Sequence, residues 1–145
     1  MPKVTETVVI AAAQPKVFEF VSDAKRAPTF VPGLNRISNL STATPQVGRT
    51  WEFEFNWFGL TLSGNSECKR FEHPTLYQFQ TLTGAKSTWT YRCESKGGQT
   101  QLTLEVEYDV PQNLLARFAA QPVLEKMNQN RARETAANLK VLLEG

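Results

Sequence analysis

The stretch that decides the fold runs from Asn113 to Leu143 and reads NLLARFAAQPVLEKMNQNRARETAANLKVLL. Its apolar residues recur at helical spacing, which predicts one long amphipathic helix. From Leu124 onward, Leu124, Met127, Arg131, Thr135, Leu139 and Leu142 share one face, with Asn128 and Asn138 at its edges. Lys126, Gln129, Arg133, Lys140 and Glu144 make the opposite, solvated face. Thirty residues at about 1.5 Å each span roughly 45 Å, the length of a small domain. Such a helix must lie across something large and apolar. Yet its inward face carries an arginine, a threonine and two asparagines, which a dry core does not tolerate unpaired. Either these groups pair locally, or the space beneath the helix is wet or holds a ligand. Pro122 is expected to kink or divide the helix near its start, because it removes a backbone hydrogen bond and crowds the preceding turn.

Ahead of this helix the chain is almost continuous strand. Thr50 to Phe58 alternates sharply, with Trp51, Phe53, Phe55 and Trp57 on one face and Glu52, Glu54 and Asn56 on the other. Leu60 to Phe71 follows, its inner set being Leu60, Leu62, Gly64, Ser66 and Cys68, and then Leu76 to Thr83. Lys86 to Ser95 places Trp89, Tyr91 and Cys93 on one face and Thr88, Thr90, Arg92 and Glu94 outside. Gly97-Gly98 is the clearest hairpin signal, leading into Gln101 to Val110 with Leu102, Leu104, Val106 and Tyr108 inward. At the other end, Val4 to Ala12 is a β-branched strand, and Pro15 suits the first turn of a helix through Val17, Phe18 and Val21. Asp23 is placed to cap a second short helix, which Pro28 and Pro32-Gly33 limit to one or two turns. Leu34 to Ser41 is the next strand. Short connections imply antiparallel pairing, and one-sided alternation implies one solvated and one covered sheet face. The expectation is one α+β domain over residues 1–145: a curved antiparallel sheet wrapped around the long C-terminal helix, with two short helices after the first strand.

Composition narrows the function. The chain has 145 residues, 41% hydrophobic and 21% charged, with a net charge of +2. That is an ordinary globular balance with no basic footprint for nucleic acid. No apolar run approaches the roughly 20 residues of an integral membrane segment, and the N-terminus lacks a signal-peptide pattern. A cytoplasmic protein is expected. Cys68 and Cys93 sit in strands without CxxC spacing and read as reduced, buried thiols, and His73 in its Glu-His-Pro turn reads as a surface histidine. One histidine and two separated cysteines make no metal set, and no cofactor loop is present. Nothing in the sequence specifies an oligomeric state.

The element order resembles the helix-grip, or START-like SRPBCC, superfamily, and within it the bacterial polyketide cyclase/dehydrase and lipid-transport family. The residues that carry the resemblance are VTETVVIAA with its continuation QPKVFEFVSDAKRAPTFVPGL, the strand VGRTWEFEF, and the helix end LKVLLE. Gln14-Pro15 stands where that family often has Ala-Pro, and Phe30 where a Trp is often found. The resemblance spans essentially the whole chain. It implies an internal pocket between sheet and helix for apolar or amphipathic small molecules, a cavity shared across the superfamily rather than a catalytic motif.

The candidate ligand-binding residues are Trp51, Phe53, Phe55, Trp57, Trp89 and Tyr91 on the sheet, with Met127, Asn128, Arg131 and Thr135 on the helix. So many large rings on one concave face suit a ligand pocket, though each ring also suits plain core packing. Arg131 offers a fixed guanidinium for a carboxylate, phosphate or carbonyl; alternatively its long stem carries the head to water or a nearby Glu. Asn128, Thr135 and Asn138 would orient ligand hydroxyls or carbonyls, or serve helix packing. No nucleophile or general base stands out, so no catalytic residue is assigned. Two functions remain: a binding or transfer protein for a hydrophobic or aromatic molecule, lipid or polyketide-like; or a polyketide cyclase or dehydratase in which Arg131 or Tyr91 polarises a carbonyl.

Overall fold

The computed structural model describes residues 2–109 and 121–145. Its elements are β1 (Lys3–Ile10), α1 (Gln14–Val21), a 3-10 helix (Ala24–Thr29), β2 (Leu34–Ser38), β3 (Thr50–Trp57), β4 (Leu60–Glu72), β5 (Leu76–Thr81), β6 (Ser87–Lys96), β7 (Gln99–Tyr108) and α2 (Gln121–Glu144). Pro15 lies in the first turn of α1, and the Asp23 carboxylate caps the 3-10 helix by accepting from Lys25 N at 3.2 Å. The expected first turns of the long helix, residues 113–120, lie outside the described residues. Pro122 is the second residue of α2 as described, and the turn before it, where the kink is expected, lies outside the described residues.

Among the described residues seven strands form one antiparallel sheet in the order β1-β7-β6-β5-β4-β3-β2. Hairpins make most of it. At Gly97 and Gly98 both φ angles are positive (56° and 86°), the conformation a two-residue turn between Lys96 and Gln99 requires. Register shifts between Leu34 and Arg36 and between Cys68 and Arg70 bend the ladder, and the sheet curves around the helix. The non-local pair is β1 with β7, where Val4 faces Val106 and Ile10 faces Thr100.

The inward parity of every long strand holds. Val4, Trp51, Trp57, Cys68, Tyr91, Cys93, Leu102, Leu104 and Tyr108 are all buried. Thr90 is on the outer face as expected but is buried there, its hydroxyl accepting from Gln78 Nε2 at 3.1 Å. Cys68 and Cys93 are free, buried thiols; burial, the largest cause, raises them to about 11 and about 12. His73 sits at the surface, 3.2 Å from Glu19 Oε2.

The helix face differs from the expected one. Leu142 is 45% exposed, while Leu143, Ala132 and Ala136 are buried with Leu124, Thr135 and Leu139. The stripe turns toward the alanines because their small side chains let α2 lie close against β1. Polar ends then fasten it: Lys140 Nζ donates to Val9 O at 2.8 Å, and Ala11 N donates to Glu144 Oε2 at 2.8 Å. Gln129, expected on the solvated face, donates to Glu6 Oε2 at 2.8 Å. Among the described residues no helix is long and apolar enough to cross a membrane.

Candidate functional site

Period-two alternation in β3, β5 and β6 brings large rings onto one concave face, with β4 lying between β3 and β5. Tyr77 and Phe79 of β5 are paired directly with Tyr91 and Trp89 of β6. Tyr77 and Tyr91 stack with ring centroids 6.0 Å apart, and Phe79 and Trp89 at 5.7 Å and only 12° between planes. Trp51 of β3 meets Phe79 edge-on at 5.3 Å. Phe30, which ends the 3-10 helix, meets Tyr91 edge-on at 6.5 Å. Between these rings and α2 lies a cavity of about 140 Å³. That is close to the ~150 Å³ apolar cavity that stays dry and accepts benzene in an engineered protein.

Of the expected residues, Trp51, Phe53, Phe55, Trp57, Trp89, Tyr91, Asn128, Arg131 and Thr135 all line this cavity. Met127 does not; the turn of the helix toward its alanines puts Ala132 over the space instead. Tyr77, Phe79, Phe30 and Tyr108 line it as well. The alternation in Leu76 to Thr83 carried the signal for Tyr77 and Phe79, and Tyr108 was on the inward parity of its strand.

The polar groups divide into those already paired and those left open. Thr135 Oγ1 donates to Arg131 O at 2.9 Å and Asn138 Nδ2 to Phe30 O at 3.1 Å, so both are committed to packing. Arg131 Nη1 donates to Pro32 O at 2.9 Å and more weakly to Asn56 O at 3.4 Å. Its guanidinium lies 4.6 Å from the Phe58 ring centre and 5.9 Å from that of Phe55, a cation–π arrangement. Burial lowers its pKa, and Glu134 partly opposes the shift. The loop beneath has no room to spare. Gly33 has φ +85°, and a Cβ there would collide with Arg131 Nη1 and the Asn56 carbonyl. Phe58 itself adopts φ 52°, an uncommon conformation for a bulky residue, at the β3–β4 turn.

Trp57 Nε1 donates to Asn128 Oδ1 at 2.9 Å, linking β3 to α2 across the cavity. Among the described residues Asn128 Nδ2, Tyr108 Oη and Ser66 Oγ are buried without a hydrogen-bond partner. Burial pushes the Tyr77 and Tyr91 phenols up. A residue the sequence reading passed over is Arg49: fully enclosed, it pairs with Asp23 at 3.1 Å and its Nε donates to Thr42 O at 3.1 Å. It is not part of the lining and fixes the loop before β3. Among the described residues no group of three or more His, Cys, Asp or Glu side chains is placed to hold a metal.

The family model for polyketide cyclase/dehydrase and lipid transport matches residues 1–144. The chain belongs to this family. No functionally curated protein is similar enough in sequence to match. Similar solved structures share the fold at low identity. A START superfamily protein from Mycobacterium smegmatis is 15% identical with a TM-score of 0.77, over 98% of this chain and 97% of that one. The ZhuI aromatase/cyclase from Streptomyces sp. R1128 is 15% identical with a TM-score of 0.76, over 99% and 93%. The di-domain aromatase/cyclase BexL of the BE-7585A biosynthetic pathway is 16% identical with a TM-score of 0.75; the match covers 99% of this chain and 50% of BexL. For a polyketide cyclase/dehydrase and lipid-transport family member, the apolar cavity under the helix is the place to seek function.

Proposed function

We propose that the protein binds a hydrophobic or aromatic small molecule, lipid or polyketide-like, in the cavity between sheet and C-terminal helix, and acts as a binding or transfer protein. The chemistry of the lining carries this reading. Its walls are rings and aliphatic chains, and its ionisable groups among the described residues are Arg131, Tyr77, Tyr91 and Tyr108. Burial raises all three phenols, so they stay protonated at neutral pH. A protonated phenol donates a hydrogen bond to a ligand oxygen and offers no general base at neutral pH, which supports holding and orienting a ligand. Covering about 200 Å² of ligand apolar surface contributes roughly 5 kcal/mol at ~25 cal/mol per Å². Arg131 marks the polar end, since only its Nη1 is engaged among the described residues.

The alternative, a cyclase or dehydratase working in the same cavity, rests on the family description; there Arg131 or Tyr91 polarises a carbonyl while the walls hold the chain folded. Native mass spectrometry of protein freshly purified from cells tests the first reading. A co-purifying small molecule, released on denaturation, is expected. Protein that carries no ligand and fails to take up an apolar fluorophore contradicts it. Turnover of a poly-β-ketone thioester into a cyclised product moves the assignment to the alternative.

A further inference from the structure

The cavity holds a polar point that its own side chains do not complete. Trp57 Nε1 is a donor and nothing else, so the Asn128 side chain must turn Oδ1 toward it, as the 2.9 Å contact has it. That fixes the amide. Nδ2, with two N–H bonds, is then directed away from the indole, and it is buried without a partner among the described residues. Beside it is Tyr108, 5% exposed, whose ring meets Trp57 edge-on at 5.8 Å and whose hydroxyl is likewise buried and unpartnered. The Tyr108 phenol is raised chiefly by burial, and Asn128 lies close enough to oppose the shift as a hydrogen-bonding neighbour, though short of good hydrogen-bond geometry. The two groups are neighbours, yet no well-formed hydrogen bond joins them. Buried donors left unmade in this way weigh against the empty cavity.

We infer that Asn128 and Tyr108 together form a docking point for a neutral carbonyl oxygen, so that the ligand class is a cyclic or aromatic ketone, quinone or ester rather than a bare hydrocarbon. This rests on the binding function proposed for the same cavity. An N–H and an O–H converging among rings supply two donors and no charge. A carbonyl oxygen has two lone pairs to accept both. A hydrocarbon leaves both unmade, and a carboxylate brought there is desolvated without a counter-charge on either group. The ordered supports favour selectivity: the Trp57 bond locks the Asn128 rotamer, and the Trp57–Tyr108 packing fixes the phenol. Ser66 Oγ, also unpartnered, sits further along the wall opposite Trp51 and offers a second hydroxyl to a longer ligand.

The test compares 1-indanone with indane, one skeleton with and without a carbonyl. Affinities are measured by calorimetry for wild type, Tyr108→Phe, Asn128→Leu and Arg131→Met. Tyr108→Phe keeps the ring packing and removes one donor. It should weaken indanone about tenfold, one hydrogen bond at ~1.4 kcal/mol per tenfold, and leave indane within about twofold. Because Asn128→Leu also strands the Trp57 N–H, a second readout accompanies it. The infrared carbonyl stretch of bound indanone should lie lower in wild type than in either variant. Equal weakening of both probes in Tyr108→Phe, an unchanged carbonyl stretch, or an indanone loss confined to Arg131→Met each overturns the docking point while leaving cavity binding standing. Failure of both probes to bind wild type removes the cavity-binding function, and the docking point with it.

Discussion

The two halves of α2 turn opposite kinds of side chain inward. The C-terminal half presents Ala136, Leu139 and Leu143, all buried, and lashes itself to β1 through Lys140 and Glu144. The N-terminal half presents Asn128 and Arg131 to the cavity, with Ala132 and Thr135 at the junction. The cavity-facing polar groups thus gather in the N-terminal half, beside the fully buried Leu124, and the C-terminal half is mainly apolar. The polar residues that face the cavity, Asn128 and Arg131, are therefore not flaws in a core-facing stripe. These two line the cavity, while Asn138, in the packed half, spends its amide on the Phe30 carbonyl. One half fixes the helix, and the other uses the fixed helix to aim donors.

The division is easiest to break in the packed half. Leu139 is completely buried, and Leu139→Ala should cost about 2–5 kcal/mol of stability, read as a lower urea midpoint at unchanged m-value. Probe selectivity should be untouched; an altered ranking of acidic over neutral probes would mean that the halves are not separable. In the lining half, Arg131→Met should weaken an acidic aromatic probe by roughly ten- to a hundredfold, the ~1.5–3 kcal/mol of a hydrogen bond to a charged group. A neutral probe of the same skeleton should hold its affinity in calorimetry. Losses that move together, with a falling melting temperature, would reduce Arg131 to a tie between helix and loop.

Smaller effects sharpen the same contrast. Gly33→Ala places a side chain at φ +85° and against Arg131, and should destabilise by about 1–2 kcal/mol. Thermal melting of Gly33→Ala in the Arg131→Met background checks the contact, because the penalty should shrink once the guanidinium is gone. The smallest effect belongs to Glu144. Its hydrogen bond from Lys140, first, and from Ala11 N hold its carboxyl below the usual range. That contribution is present above the unfolded carboxyl's pKa of about 4.3 and is lost as pH falls through the lower folded value. Wild type and Glu144→Gln should therefore differ slightly in melting temperature at pH 7 and converge near pH 3. A gap that persists in acid would contradict the assignment.

The strands were legible because burial on one face writes itself as alternation, and Trp51 to Trp57 displayed it without interruption. The helix was legible as a helix but not in its exact rotation. Leu142 outranks Ala132 and Ala136 on any hydrophobicity scale, yet close approach to β1 favoured the alanines and turned Leu142 to solvent. The same rotation removed Met127 from the lining and brought in Ala132, while Asn128 lines it as expected. The Asp23–Arg49 pair was invisible for another reason: it joins loops that no periodicity relates. Arg131 was recognised as inward-facing, but its bond to the Pro32 carbonyl depends on where a proline–glycine loop returns in space.

The pairing of β1 with β7 sets a timetable for synthesis. Strands β2 to β7 follow one another as a meander, and each can zip onto its predecessor soon after it is made. β1 cannot, because its hydrogen-bonding partner begins at Gln99 and its covering helix begins at Gln121 as described. During translation its apolar Val4, Val8 and Ile10 wait with no sheet beside them, a state that attracts chaperones and invites wrong pairing. Stalled nascent chains ending at residue 98 should accordingly be cut readily by protease within residues 3–10. Chains carrying β7 and α2 should resist, and early resistance would show that β1 finds shelter before its native partner exists.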